Sequence, residues 1–171
     1  MKKGDFQKLL GHGQDTWLDW QESFNLELLK GEDNPAWEAG QAKLLRDLAA
    51  IANRPDGQRG FMIFGVKDHG SHREVKGIFK SWKGTDFQSW AKNVFDPPLR
   101  FTYSELAVDG NIKVGIFTVD LSPRYPHVTA QRLGGVIHPG QIWMRRGNEN
   151  IIARHDDLRE MFGRPDRTAP K

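Results

Sequence analysis

The chain has no cysteine among its 171 residues, which excludes disulfides, thiolate metal sites and a cysteine nucleophile. No apolar run approaches the length of a membrane span. The opening stretch Met1-Lys2-Lys3-Gly4-Asp5-Phe6-Gln7-Lys8-Leu9-Leu10 also lacks the apolar core of a secretory signal. A cytoplasmic protein with no membrane partner is the expectation. Glycine is frequent at 18 residues, yet neither G-x-x-x-x-G-K-[ST] nor a G-x-G-x-x-G between strand and helix is present. The loops that cradle the phosphates of ATP or a dinucleotide are therefore missing. H-E-x-x-H is missing too. His69 and His72 lie three apart beside Asp68 in a glycine-containing turn, where backbone hydrogen bonding is the simpler role. Internal repeats and low-complexity tracts are also absent.

What is present suits one domain. Hydrophobic residues make up 37% of the chain and aromatics 11%, enough to build a core at this length. The expected domain spans residues 1–162, followed by a polar, proline-bearing tail at 163–171 that is expected to be disordered. The formal charge is only +3, from 25 basic and 22 acidic residues. Any affinity for a polyanion therefore depends on whether the basic side chains gather on one face.

Periodicity supplies the elements. Phe6 to Leu10 suits a short helix closed by Gly11 and Gly13, and Thr16 to Phe24 a strand carrying Trp17, Leu18 and Trp20. Gly31 to Pro35 reads as a loop in which Asn34 caps a helix and Pro35 takes its first position. Trp37, Gln41, Leu44, Leu45, Leu48, Ile51 and Ala52 then recur at helical spacing, and Asn53 to Gly57 breaks that helix. Phe61 to Val66 is a short apolar run suited to a central strand, with Glu74 to Phe79 as a partner strand beyond a turn. A second helix is expected over Asp86 to Phe95, stopped by Pro97-Pro98. Strands are expected at Arg100–Val108 and Lys113–Leu121, joined by the hairpin signal Asp109-Gly110-Asn111. Val128 and Ile142–Arg146 suit further short strands. A last helix over Asp156 to Phe162 would bury Leu158, Met161 and Phe162.

One tract mixes charge with aromatic rings. Arg73, Lys76, Lys80, Lys83 and Lys92 are interleaved with Phe79, Trp82 and Trp90. Basic groups attract phosphates and aromatic faces stack on unpaired bases; the competing reading is a solvated surface over buried rings.

An ordered set of short motifs resembles the Schlafen-type AlbA-like domain, a DNA-binding family. Its G-E-S-x-x-L-E-F-K opening corresponds to Gly13-Gln14-Asp15-Thr16-Trp17-Leu18-Asp19-Trp20-Gln21, and its A-F-A-N to Ala50-Ile51-Ala52-Asn53. Its I-G-V-x-D-x-G corresponds to Ile63-Phe64-Gly65-Val66-Lys67-Asp68-His69-Gly70. The closing S-x-x-x-P and aromatic-x-R-x-G-S elements fall at Ser122-Pro123-Arg124-Tyr125-Pro126 and Trp143-Met144-Arg145-Arg146-Gly147-Asn148. The resemblance runs from about Gly13 to Phe162. It implies an α/β (α+β) fold with a mixed central sheet flanked by helices, and a homodimer. It also implies a separate ATPase or regulatory protein as partner.

Roles carried over from nuclease-active members place a metal-binding carboxylate cluster at Gln14, Asp19 and Asp68, with the family lysine at Gln21. Two of these four positions hold glutamine, which brings neither negative charge nor basicity. A hard cation, Mg²⁺ or Mn²⁺, wants anionic oxygens; Asp15 or Glu22 would have to stand in. Three functions are therefore carried forward. The first is binding of DNA or RNA, mainly through phosphates, by Lys80, Lys83, Arg145 and Arg146, with Trp82 stacking on bases. The second is metal-dependent nuclease chemistry at Asp19 and Asp68. The third is a protein-interaction module of a defence or regulatory complex. For Arg145 and Arg146 a structural salt bridge competes with phosphate contact.

Overall fold

The computed structural model describes residues 1–24, 35–54, 58–120, 122 and 125–162. In chain order its elements are α1 (Lys3–Leu9), β1 (Leu18–Gln21), α2 (Pro35–Ala52), β2 (Gly60–Phe64), β3 (Val66–Asp68), β4 (Arg73–Val75) and α3 (Gly84–Ala91). They continue with β5 (Phe95–Asp96), β6 (Phe101–Asp109), β7 (Ile112–Val119), β8 (Val128–Thr129), β9 (Trp143–Arg146), β10 (Glu149–Ile152) and α4 (His155–Phe162). The expected cap at Asn34 and tail at 163–171 lie outside the described residues. Among the described residues, no helix is long and apolar enough to cross a membrane.

The central sheet is mixed, as expected, with strand order β1-β2-β7-β6. β1 and β2 are parallel and joined through α2, whereas β2–β7 and β7–β6 are antiparallel. Both faces are covered, so side chains of alternating residues enter two cores. On one face Met62, Phe64, Phe117 and Val119 meet Leu44, Leu45 and Leu48 of α2 and Phe87 of α3. On the other, Leu18, Trp20, Ile63, Val114 and Ile116 meet Phe6 of α1. Because Leu18 and Trp20 point toward α1, Asp19 between them and Gln21 after them point toward α2. That one consequence of pleating decides the fate of Asp19.

Asn53 ends α2 and ties it to distant backbone. Its amide nitrogen donates to the carbonyls of His127 (3.0 Å) and Trp143 (2.8 Å), and its oxygen accepts the His127 N–H at 2.7 Å. A fully buried asparagine with three bonds is a structural clamp. Gly65 has φ +87°, and a Cβ there would stand 2.7 Å from the carbonyl carbon of Gly77. Its carbonyl accepts the N–H groups of Lys76 and Gly77. Only glycine allows two backbones this close.

Three expectations need correction, and one strand was not expected. The partner strand placed at Glu74–Phe79 is Arg73–Val75, because Gly77 (φ +83°) turns the chain back onto Gly65. α3 stops at Ala91 rather than Phe95: Asn93 takes φ +64°, and Phe95-Asp96 pairs with Val128-Thr129 instead. Phe162 is 65% exposed, whereas Asp157 and Met161 fill the inner face of α4. β10 was not foreseen, since its four residues Glu149-Asn150-Ile151-Ile152 are too short to signal a strand and form one by pairing with β9.

Candidate nucleic-acid interface

The motif acid Asp19 faces α2, and β9 brings Arg145 down onto it. Arg145 Nη2 donates to Asp19 Oδ1 at 2.7 Å, with both residues at most 3% exposed. Gln21 Nε2 donates to the second carboxylate oxygen at 2.6 Å. The glutamine at the family's lysine position and an arginine expected to reach phosphate thus complete its shell. Next to it lies Asp47 of α2, whose oxygen accepts from Arg46 Nε (2.8 Å) and Asn150 Nδ2 (2.7 Å). Burial pushes the Asp47 carboxyl up; Arg46 opposes that shift and the charge of Asp19 adds to it, and the carboxyl stays above its ordinary value.

Asp68 does different work. Its Oδ1 caps the Gly70 N–H at 2.8 Å and meets Arg73 Nε at 3.2 Å, holding the β3–β4 turn. Among the described residues, Asp19 and Asp68 share no partner. Gln14 donates to the Trp20 carbonyl at 2.9 Å, Asp15 accepts its neighbour's N–H from Thr16, and Glu22 pairs with Lys67 at 3.4 Å. Among the described residues, no three His, Asp or Glu side chains are arranged to hold a metal ion. A guanidinium already neutralises Asp19, and the nearby acids point into separate contacts. These residues do not fit Mg²⁺ or Mn²⁺.

The basic–aromatic tract is more informative. Chain entry and exit are pinned on either side of Phe79. The Ile78 N–H donates to the Lys113 carbonyl at 2.8 Å, and Glu105 gathers the following residues. Its carboxylate accepts from the Trp82 N–H (2.9 Å), the Ser81 hydroxyl (2.8 Å) and Lys113 Nζ (3.4 Å). Burial pushes the Glu105 carboxyl up, but the Trp82, Ser81 and Lys113 donors outweigh burial and hold it below the usual glutamate range.

This anchoring sorts the rings. Trp82 lies against Phe24, Trp37, Phe87 and Trp90, with centroids 5.7–6.0 Å away. It is a half-buried wall of the core, so the base-stacking role assigned to it from sequence does not fit its packing. Phe79, between the two pinned points, is 87% exposed. Lys80 lays its ammonium 4.5 Å from the Trp82 ring centre, a cation–π contact that holds the charge outward of the core. Lys83 precedes the first residue of α3. Among the described residues, neither lysine has a carboxylate partner, and both are exposed.

The two arginines part company as strand alternation requires. Arg145 is buried on Asp19, which removes it from phosphate contact and corrects that assignment. Arg146 points outward, its side chain 61% exposed, with Nη2 on Asp157 Oδ1 at 2.6 Å. Asp157 also accepts the Arg154 N–H at 2.8 Å, closing the first turn of α4. The structure therefore unites Lys80, Lys83 and Phe79 on one short segment and places Arg146 on another element. Sequence reading missed Glu105 and Asp47. Glu105 lies on the same strand row as Phe101 and Tyr103, and an acid on an inward row is the signal that would have found it.

Comparisons with known proteins agree with this layout. The family model described as Schlafen, AlbA_2 matches residues 14–154. Two solved structures share the fold. The DIP2311 protein from Corynebacterium diphtheriae superposes with a TM-score of 0.53 at 14% identity, over 88% of this chain and 29% of its own length. The N-terminal domain of a putative ATP-dependent DNA helicase RecG-related protein from Nitrosomonas europaea gives a TM-score of 0.51 at 14% identity. That match covers 91% of this chain and 96% of the domain. No curated protein matches.

Proposed function

The chain belongs to the Schlafen AlbA_2 family, and from that premise we propose that it binds nucleic acid, chiefly through the phosphate backbone and with little sequence specificity. The observation that carries this reading is the pair Lys80 and Lys83. Both side chains are exposed and, among the described residues, have no carboxylate partner, on a segment fixed at Ile78 and Trp82. A preorganised cationic segment binds a polyanion with little ordering cost. Arg146 adds a guanidinium that stays largely exposed, its side chain at 61%, beside its pair with Asp157. One structural neighbour is the N-terminal domain of a putative DNA helicase-related protein, in keeping with a nucleic-acid setting.

The test is fluorescence anisotropy with short labelled DNA and RNA of mixed sequence. Measurable affinity at low salt that falls steeply as salt rises is the expected result. Lys80→Gln with Lys83→Gln should weaken binding to every sequence alike. Undetectable affinity for both polymers at low salt overturns the reading.

A further inference from the structure

We infer that the ligand class is single-stranded nucleic acid, with an unpaired base stacked on the ring of Phe79; this rests on the nucleic-acid reading above and narrows it. Phe79 is the most exposed of the large hydrophobic residues described, at 87%. Most of the other rings nearby are consumed by packing: Trp82, Trp90, Phe87 and Tyr103 form edge and tilted contacts with one another. Phe79 has no place in that cluster. Ile78 before it packs against the core and Trp82 after it does the same, so the backbone between them must turn one side chain outward.

A bare phenyl ring in water is unfavourable by itself, and its neighbours state what it suits. Lys80 and Lys83 follow it on the same exposed segment and, among the described residues, have no carboxylate partner, so a ligand seated on the ring meets a positively charged segment. An exposed ring on a cationic segment fits a chain of alternating planar bases and phosphates. In a duplex the base faces are already stacked inside, leaving only phosphates for Lys80 and Lys83. Unpaired bases offer the face that Phe79 needs. The anchors at Lys113 and Glu105 hold the ring ready and limit the ordering that binding requires.

The experiment compares a labelled single strand with a duplex of equal length, using the whole chain and its Phe79→Ala, Phe79→Leu and Phe79→Trp variants. The ring is exposed, so these substitutions leave the core intact. The expected result is tighter binding of the single strand by the native protein. Phe79→Ala and Phe79→Leu should each weaken single-strand binding about tenfold or more, the size of one lost base–aromatic stack, and leave duplex binding unchanged. Phe79→Trp should retain or raise single-strand affinity. Leucine keeps the apolar bulk and removes the π face, so equal binding by Phe79→Leu and native protein overturns stacking. Equal losses on duplex and single strand also overturn the inference, by showing a wedge or a non-specific contact. Both of those outcomes leave phosphate binding standing. Absence of binding to either form, by the native protein, defeats the underlying reading itself.

Discussion

Arg145 Nη2 lies 2.7 Å from Asp19 Oδ1, joining a strand near the start of the chain to one 126 residues later in a site closed to water. The acid to which the sequence resemblance assigned a metal-binding role is here half of an ion pair. Removing one partner leaves an uncompensated buried charge, which costs about 3–5 kcal/mol. Arg145→Met and Asp19→Leu are each expected to lower stability by that order in urea unfolding. The double variant should recover much of the loss, because both charges leave together. Additive losses in the double variant would show that the two side chains do not act as a pair.

Addition of Mg²⁺ or Mn²⁺ is expected to leave the thermal midpoint of the native protein unchanged. A cation that bound the folded state at Asp19 would raise that midpoint with concentration. Differential scanning fluorimetry across a titration of each metal checks this, with Asp19→Asn and Asp68→Asn beside it. A rise abolished by either substitution would restore the metal site.

Asn53→Ala should be among the most destabilising polar substitutions, on the order of 3 kcal/mol, because it strands the His127 and Trp143 carbonyls and the His127 N–H in the interior. Asn53→Asp should also destabilise: it keeps the acceptor and loses the donor. Equilibrium denaturation of the two variants gives the comparison.

Two carboxyls act in opposite directions as pH falls. Glu105 is held below its ordinary value of 4.5 once folded, so its anchoring is complete above that value and is lost as pH falls through the lower folded value. The protection of the Trp82 amide in hydrogen exchange should therefore decline in acid, and should already be low at neutral pH in Glu105→Ala. Asp47 is held above its ordinary value of 3.8 by burial. Its charge burdens the fold at neutral pH, and protonation relieves it. Asp47→Asn should be at least as stable as the native protein at pH 7, with the difference shrinking in acid.

Lys80→Gln and Lys83→Gln should each reduce the slope of log affinity against log salt, by roughly 0.7 to 1 per lysine. Arg145→Met, judged at equal folded fraction, should leave that slope unchanged because its guanidinium never reaches solvent. Anisotropy titrations over a series of salt concentrations separate the two.

Much of the frame was legible beforehand because local periodicity is written in adjacent residues. Leu44, Leu45, Leu48 and Ile51 announce α2, and Asp109-Gly110 announces the β6–β7 turn. The ordered motifs pointed to the family, which the match over residues 14–154 shows. What stayed hidden was choice between equivalents: Arg145 or Arg146, Trp82 or Phe79, free carboxylate or paired. Each pair has the same chemistry in the sequence and opposite exposure in the fold.

By itself, then, the sequence determined the element types, the family and the segment on which basic and aromatic residues meet. Those properties depend on neighbours along the chain. Only tertiary structure decided that Asp19 is closed by Arg145 and Gln21, and that Phe79 rather than Trp82 faces water. The physical reason is that burial is set by what packs across the sheet. A buried charge must find its counter-charge there, from a strand more than a hundred residues away.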